Sequence, residues 1–96
     1  MSKSEILDIL KKYKTDNSHN YGVLEMGVFG SVAREQINEA SDVDIFVKME
    51  TPNPFFIVHI KEELEKFLNM HVDIVRFRDK MNPFLKNRIE SEGIYV

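Results

Sequence analysis

The most informative segment of the chain is Gly27-Val-Phe-Gly30-Ser-Val-Ala-Arg34-Glu-Gln-Ile-Asn-Glu-Ala-Ser-Asp42-Val-Asp44-Ile-Phe-Val-Lys-Met49. An apolar run ends at a Gly-Ser pair, Gly30 and Ser31, and ten residues later Asp-Val-Asp stands at the head of a second apolar run. This pattern predicts a strand, a turn with a short polar segment, and then a second strand that begins with two acidic side chains.

The acidic pair predicts a metal site. Side chains alternate along a strand, so Asp42 and Asp44 share one face of the sheet. Asp73 lies within another short apolar run, and it can reach the same face if the two strands are neighbours. Two or three carboxylates that face a phosphate group favour Mg²⁺ over zinc, because Mg²⁺ prefers oxygen ligands. We therefore predict Asp42, Asp44 and Asp73 as metal ligands that support phosphoryl transfer.

The Gly-Ser pair predicts a phosphate-binding turn. Ser31 at the start of a helix offers backbone N–H groups and a hydroxyl to a phosphate tail, next to Gly30. Arg34 has two interpretations that the sequence leaves open: it neutralises a triphosphate, or it forms a structural ion pair with an acidic residue. Gly-Ser before a helix and Ser-Asp before a strand are each ordinary features, but their combination at this spacing is far more specific.

The rest of the chain predicts alternating helices and strands. We predict strands over 23–29, 42–49 and 71–77 and an edge strand over 94–96. We predict a capped helix over 2–14, a short helix over 31–37, and two further helices that begin at Asn53-Pro54 and Asn82-Pro83. A loop over 15–20 and a turn over 38–41 connect these elements. This order favours a layered α/β (α+β) domain, with a small mixed β-sheet and helices packed mainly on one face.

Length and composition narrow the possible functions. The 96 residues form a single domain, 1–96, and the chain has no cysteine for disulfides or thiolate chemistry. The net charge is −3, so a nucleic acid partner is not expected from the overall charge. No apolar run approaches the length of a membrane span and no signal peptide is recognisable, so a cytoplasmic location without membrane association is expected.

The sequence resembles a known family. Gly30-Ser31, ten residues and Asp42-x-Asp44 are similar to the signature of the DNA polymerase β-like nucleotidyltransferases. The string from Gly30 to Val47, the segment Val72-Asp73-Ile74-Val75 and the closing Ile89-Glu-Ser-Glu-Gly-Ile-Tyr95 resemble the minimal nucleotidyltransferase (MNT) group. The resemblance runs from about residue 22 to the C-terminus. One departure is visible, because the residue after Arg34 is commonly Gly in that group and is Glu35 here.

The resemblance implies a nucleotidyltransferase fold and a set of roles. Asp42 and Asp44 would hold Mg²⁺ on the nucleotide, Asp73 would be a second-metal ligand or the general base, and Gly30 and Ser31 would hold the β- and γ-phosphates. The implied substrate is ATP, and the implied acceptor is a hydroxyl of a HEPN-domain protein. AMP transfer to that protein would make this chain the antitoxin of a toxin–antitoxin pair.

Two alternatives remain open from the sequence. The chain could be a non-catalytic module that neutralises its partner by contact, using apolar residues of its closing segment, 81–96. It could also transfer the nucleotide to a small molecule or to RNA, although the short chain and acidic net charge favour these acceptors less.

Overall fold

A computed structural model describes residues 1–38 and 40–96 of the chain. Three helices and four strands follow one another in the order α1 (Lys3–Tyr21), β1 (Val23–Phe29), β2 (Val43–Met49), α2 (Pro54–Leu68), β3 (Val72–Arg76), α3 (Pro83–Glu92) and β4 (Ile94–Tyr95). The strands form one sheet in the order β3-β2-β1-β4, in which β2 and β3 are parallel and the other pairs are antiparallel. The predicted α/β class with a small mixed sheet is confirmed.

Each helix begins at a side-chain cap that the sequence predicts. At α1, the Ser2 hydroxyl accepts a hydrogen bond from the Glu5 N–H, and the Glu5 carboxylate accepts one from the Ser2 N–H. The Asn53 and Asn82 side chains accept hydrogen bonds from the first backbone N–H groups of α2 and α3, and a proline follows each of them. Such caps satisfy N–H groups that have no partner within the helix, and each contributes about 1 kcal/mol.

The first helix is longer than predicted. The polar residues after position 14 indicated a loop, but α1 continues to Tyr21. Thr15 and Asn17 donate side-chain hydrogen bonds to the carbonyls of Lys11 and Tyr13, four residues earlier, so their polar groups are satisfied within the helix. The helix ends at Gly22, which adopts the left-handed conformation that glycine tolerates best.

The sheet separates an apolar face from a mixed face. On the first face, α1 and α2 pack against alternate strand residues to form the main core, which includes Ile6, Leu10, Tyr13, Met26, Val28, Val43, Ile45, Val47, Ile60, Leu64 and Leu68. On the second face, α3 covers part of the sheet through a smaller cluster of Phe29, Phe46, Met81 and Ile89. Two of the three helices therefore pack on one face, and the second face is left partly open beside α3.

The first strand departs from regular alternation at its start. Alternation along a regular strand would place Leu24 on the same side as the buried Met26 and Val28, but the Leu24 side chain is exposed. The register with β2 shifts between Val23 and Glu25, and this irregularity turns Val23 inward instead. Further along the strand, Gly27 has no room for a Cβ atom, because the Ile94 carbonyl of β4 and the Phe46 ring already fill that space.

The segment after β1 forms a single helical turn rather than the predicted helix over 31–37. Arg34 N–H donates to the Gly30 carbonyl, and the next two N–H groups, of Glu35 and Gln36, donate to the carbonyls of Val32 and Ser31. This pair of reversed hydrogen bonds is a Schellman motif, which ends a helix at a residue with left-handed backbone. Glu35 is that residue, with φ +59°. The turn predicted over 38–41 includes residue 39, which lies outside the described residues.

No helix in the described part of the chain combines the length and the apolarity that a membrane span requires.

Glu35 occupies a position that suits glycine, so we expect the Glu35→Gly variant to be more stable than Glu35→Ala by about 1 kcal/mol. Both variants remove the exposed Glu35–Lys3 ion pair of 3.6 Å, and only glycine relieves the left-handed backbone. Urea unfolding of the two variants measures the difference. An alanine variant as stable as the glycine variant would contradict this account of the turn.

Candidate active site

The acidic residues come together on the open face of the sheet. Asp44 and Asp73 are register partners on the parallel strands β2 and β3, so their Cα atoms lie about 5 Å apart. Asp42 directly precedes β2 and lies two residues from Asp44, which places it on the same face. The prediction that β3 brings Asp73 beside the Asp-Val-Asp pair is thus consistent with the observed strand order.

The Asp44 carboxylate is in an electrostatically unfavourable position. Burial raises its pKa, the charge of Asp73 raises it further and that of Asp42 adds to the effect, while Arg88 and Arg34 act in the opposite direction. Asp42 and Asp73 are exposed, whereas Asp44 is half-buried. A site that concentrates three negative oxygen donors is one that a hard divalent cation would stabilise.

The three carboxylates therefore fit Mg²⁺ by donor chemistry and charge. Within residues 1–38 and 40–96, however, no group of three or more His, Cys, Asp or Glu side chains is already close enough to enclose an ion. The strands fix the backbone positions of the acidic residues, and the side chains would have to rotate toward one another to share a cation.

The Gly-Ser turn is adjacent to these carboxylates. Gly30 has φ +72°, and a Cβ atom at this position would clash with the Asp44 carboxylate. Glycine therefore serves two purposes here: it permits the left-handed backbone and it leaves space for Asp44. Ser31, which is predicted to bind phosphate together with Gly30, is the next residue of the same turn.

A residue that the sequence analysis did not single out completes this region. The carboxylate of Glu92, at the end of α3, accepts a hydrogen bond of 3.0 Å from the Gly30 N–H. It also accepts two hydrogen bonds from Arg34 Nη1, of 3.1 and 2.9 Å. Of the two interpretations of Arg34, the structural ion pair is the one present in this structure.

A second arginine lies beside the same carboxylate. Arg88 Nε is 3.5 Å from Glu92 Oε1, and its guanidinium lies 5.6 Å from the centre of the Phe29 ring. Burial alone would raise the pKa of Glu92, but the hydrogen bonds from Arg34 and Gly30 and the charges of both arginines lower it below its usual value. Glu92 is therefore a well-stabilised anion at neutral pH.

The sequence contained only part of the signal for Glu92. Arg88 and Glu92 have the i, i+4 spacing of a helical ion pair, which is visible in the sequence. The contacts of Glu92 with Gly30 and Arg34 span 62 and 58 residues, and no local pattern indicates them.

Comparison with known proteins identifies relatives of the whole chain. Residues 10–96 match the family model of the nucleotidyltransferase domain. A candidate protein adenylyltransferase of Methanocaldococcus jannaschii is 40% identical over 96 residues, which cover 97% of this chain and 96% of the relative. The protein adenylyltransferase MntA of Thermococcus cleftensis is 34% identical over 97 residues, covering 100% of this chain and 97% of the relative.

Solved structures agree with the fold. The structure of a candidate minimal nucleotidyltransferase superposes with a TM-score of 0.78 at 30% identity, covering 98% of this chain and 95% of that one. An MNT antitoxin in complex with a tri-AMPylated HEPN toxin of Shewanella oneidensis superposes with a TM-score of 0.72, covering 97% of this chain and 70% of that one. The identity to the second structure is 20%, so this match supports the fold alone.

The raised pKa of Asp44 predicts that its charge opposes folding. Since the folded protein binds the Asp44 proton more tightly than the unfolded chain does, the ionised carboxylate destabilises the fold at pH 7. We expect Asp44→Asn to unfold at higher urea concentration than the wild type at pH 7. The difference should narrow as the pH falls through the raised pKa, and it should vanish below the unfolded value of about 3.9.

The matched control for this measurement is Asp8→Asn, which removes the same charge from an exposed position on α1. This variant should unfold at nearly the wild-type urea concentration across the pH range. Equal stability of Asp44→Asn and wild type at pH 7 would show that the site tolerates the charge without cost.

Proposed function

Because the chain belongs to the nucleotidyltransferase domain family, we propose that it is a Mg²⁺-dependent protein adenylyltransferase that transfers AMP from ATP to a hydroxyl of a HEPN-type partner. The observation that carries this proposal is the register pairing of Asp44 with Asp73, with Asp42 on the same face. The relatives named as protein adenylyltransferases support the choice of AMP as the transferred group.

In the proposed reaction, the acceptor hydroxyl attacks the α-phosphorus of ATP in line with the leaving pyrophosphate. The new bond joins the acceptor oxygen to phosphorus, the bond from the α-phosphorus to the bridging oxygen breaks, and the hydroxyl proton leaves to a base. Asp73 is the carboxylate proposed to accept this proton or to bind a second metal ion. It is exposed on the open face, where an incoming acceptor can reach it.

Asp42 and Asp44 are the residues proposed to hold Mg²⁺, together with Asp73. When bound, Mg²⁺ neutralises the triphosphate charge and lowers the energy of the pentacoordinate phosphorus. Gly30 and Ser31 are proposed to bind the β- and γ-phosphates, because the turn that they form lies directly beside the Asp44 carboxylate.

The proposed acceptor is a HEPN protein, and the proposed biological role is that of an antitoxin which inactivates it by AMPylation. This choice of acceptor follows the solved complex in which an MNT antitoxin of the same fold is bound to an AMPylated HEPN toxin. The partly open face of the sheet also leaves the carboxylates accessible to a side chain of another protein. Because ATP is the substrate, we propose that the chain acts in the cytoplasm.

A second candidate function is neutralisation of the partner by contact alone. The specific observation in its favour is the closing segment, in which Phe84 and Tyr95 are 83% and 56% exposed. Large exposed aromatic side chains of this kind are enriched at protein–protein interfaces. This function would not require the carboxylates.

Transfer of label from α-³²P-ATP to the HEPN protein encoded beside this chain tests the main proposal. With Mg²⁺, the wild type should label the partner, and Asp42→Ala and Asp44→Ala should each lower the rate by at least about a hundredfold, because each removes a carboxylate proposed to hold the Mg²⁺ that would stabilise the transferring phosphoryl group. The control is Asp8→Ala, an exposed carboxylate outside the site, which should keep the wild-type rate.

Full labelling by both active-site variants would overturn the proposal. Partner inhibition that persists without any labelling, in the wild type and in both variants, would favour neutralisation by contact.

A further inference from the structure

The anion position of the Gly-Ser turn is filled by one of the protein's own side chains. The Glu92 carboxylate bonds to the Gly30 N–H, a group proposed to bind a nucleotide phosphate, and to Arg34, for which neutralisation of a triphosphate is one of the two predicted roles. We propose that Glu92 holds the position of a nucleotide phosphate in the free protein, and that the triphosphate displaces its carboxylate from Gly30 and Arg34. This inference rests on the proposed function, because it assumes that the turn receives a triphosphate.

The Glu92 carboxylate resembles a phosphate in its hydrogen-bonding chemistry. A carboxylate and a phosphate both present negatively charged oxygens, and both accept paired hydrogen bonds from a guanidinium. Glu92 Oε1 accepts from the Gly30 N–H and from Arg34 at once, and Oε2 accepts from Arg34. One anion therefore engages both donors, and a phosphate that takes up both would have to replace it.

The displaced Glu92 carboxylate keeps a partner for its negative charge. When Glu92 leaves Arg34 and Gly30, it can keep Arg88 as a partner, because Arg88 lies one helical turn earlier at 3.5 Å. The Glu92 side chain is 22% exposed, so solvent can reach the carboxylate as the side chain rotates. The displaced carboxylate is thus neither left unpaired nor forced into the apolar core, and the exchange is energetically feasible.

The position of Glu92 in the chain also allows the exchange. It is the last residue of α3, and Gly93 and strand β4 follow directly. The β4 backbone is paired with β1 through Gly27 and Val28, which anchors the end of the helix beside the turn. The Glu92 side chain can therefore change partners while its backbone stays in place.

The consequence is that Glu92 lowers the affinity for nucleotide, because ATP must compete with it for two donors. We expect Glu92→Gln to bind ATP about fivefold more tightly than the wild type, since a neutral amide holds Arg34 and the Gly30 N–H more weakly than a carboxylate does. Isothermal titration of the full chain with ATP and Mg²⁺ measures this change. The matched control is Glu90→Gln, an exposed glutamate on the same helix, which should bind ATP as the wild type does.

A second measurement uses the wild type and does not depend on any variant. Inorganic triphosphate should shift the ¹⁵N–¹H resonance of the Gly30 amide as the donor exchanges a carboxylate for a phosphate. Triphosphate that binds the wild type without moving this resonance would overturn the inference, as would Glu92→Gln that binds ATP no more tightly than the wild type.

These results also separate the inference from the proposed function. If wild type binds ATP and labels the HEPN partner but Glu92→Gln gains no affinity, only the inference about Glu92 fails. If Glu92→Gln binds ATP more tightly and the Gly30 resonance shifts but no label is transferred, only the proposed function fails. If neither the wild type nor Glu92→Gln binds ATP or triphosphate, the inference and the proposed function are both wrong.

Discussion

Two aspartates lie side by side on neighbouring parallel strands, and this unfavourable arrangement constrains the groups that pack around them. Asp44 and Asp73 share a register position, and Asp44 is also half-buried, so its charge raises the energy of the folded state. The surroundings reduce this cost without removing it. Arg88 and Arg34 supply opposite charge, and the bare Cα of Gly30 leaves room for the Asp44 carboxylate. A carboxylate whose pKa is raised by burial and by neighbouring carboxylates is typical of functional sites.

The apolar core supplies the stability that allows this arrangement. The first face of the sheet is closed by α1 and α2, which bury aliphatic side chains from all three long strands. The second face carries only a small aromatic cluster around Phe29 and Phe46, held by Ile89 of α3. Because one face carries most of the burial, the other can keep an open edge lined with charged groups.

The end of the chain builds the site as much as its central motif does. Helix α3 and strand β4 return to β1, where Gly27 allows the Ile94 carbonyl and the Phe46 ring to approach its backbone. This return places Arg88 and Glu92 against the turn that starts at Gly30. The turn itself is closed by Glu35 in a left-handed conformation, so the Arg34 side chain projects from a short turn that is held by backbone hydrogen bonds.

Elements with local signals could be predicted from the sequence alone. The Asn-Pro starts of α2 and α3 and the cap of α1 are set by neighbouring residues, and they formed as predicted. The spacing of Gly30, Asp42 and Asp44 indicated the nucleotidyltransferase family for the same reason, since the motif is contiguous. Local patterns compete at two places. The side-chain hydrogen bonds of Thr15 and Asn17 let α1 continue through a polar segment that indicated a loop. The left-handed backbone of Glu35 ends the segment after Gly30 as a single turn instead of a helix.

Contacts between residues far apart in the chain depend on how the sheet and helices assemble. The pairing of Asp44 with Asp73 requires β3 to lie parallel to β2, and it was predicted only on the condition that the two strands are neighbours. The contacts of Glu92 with Gly30 and Arg34 had no local signal at all, because they exist only after α3 and β4 fold back onto β1. A sequence pattern specifies how a segment folds against its neighbours along the chain, whereas the partners of a charged side chain depend on how the whole sheet is assembled.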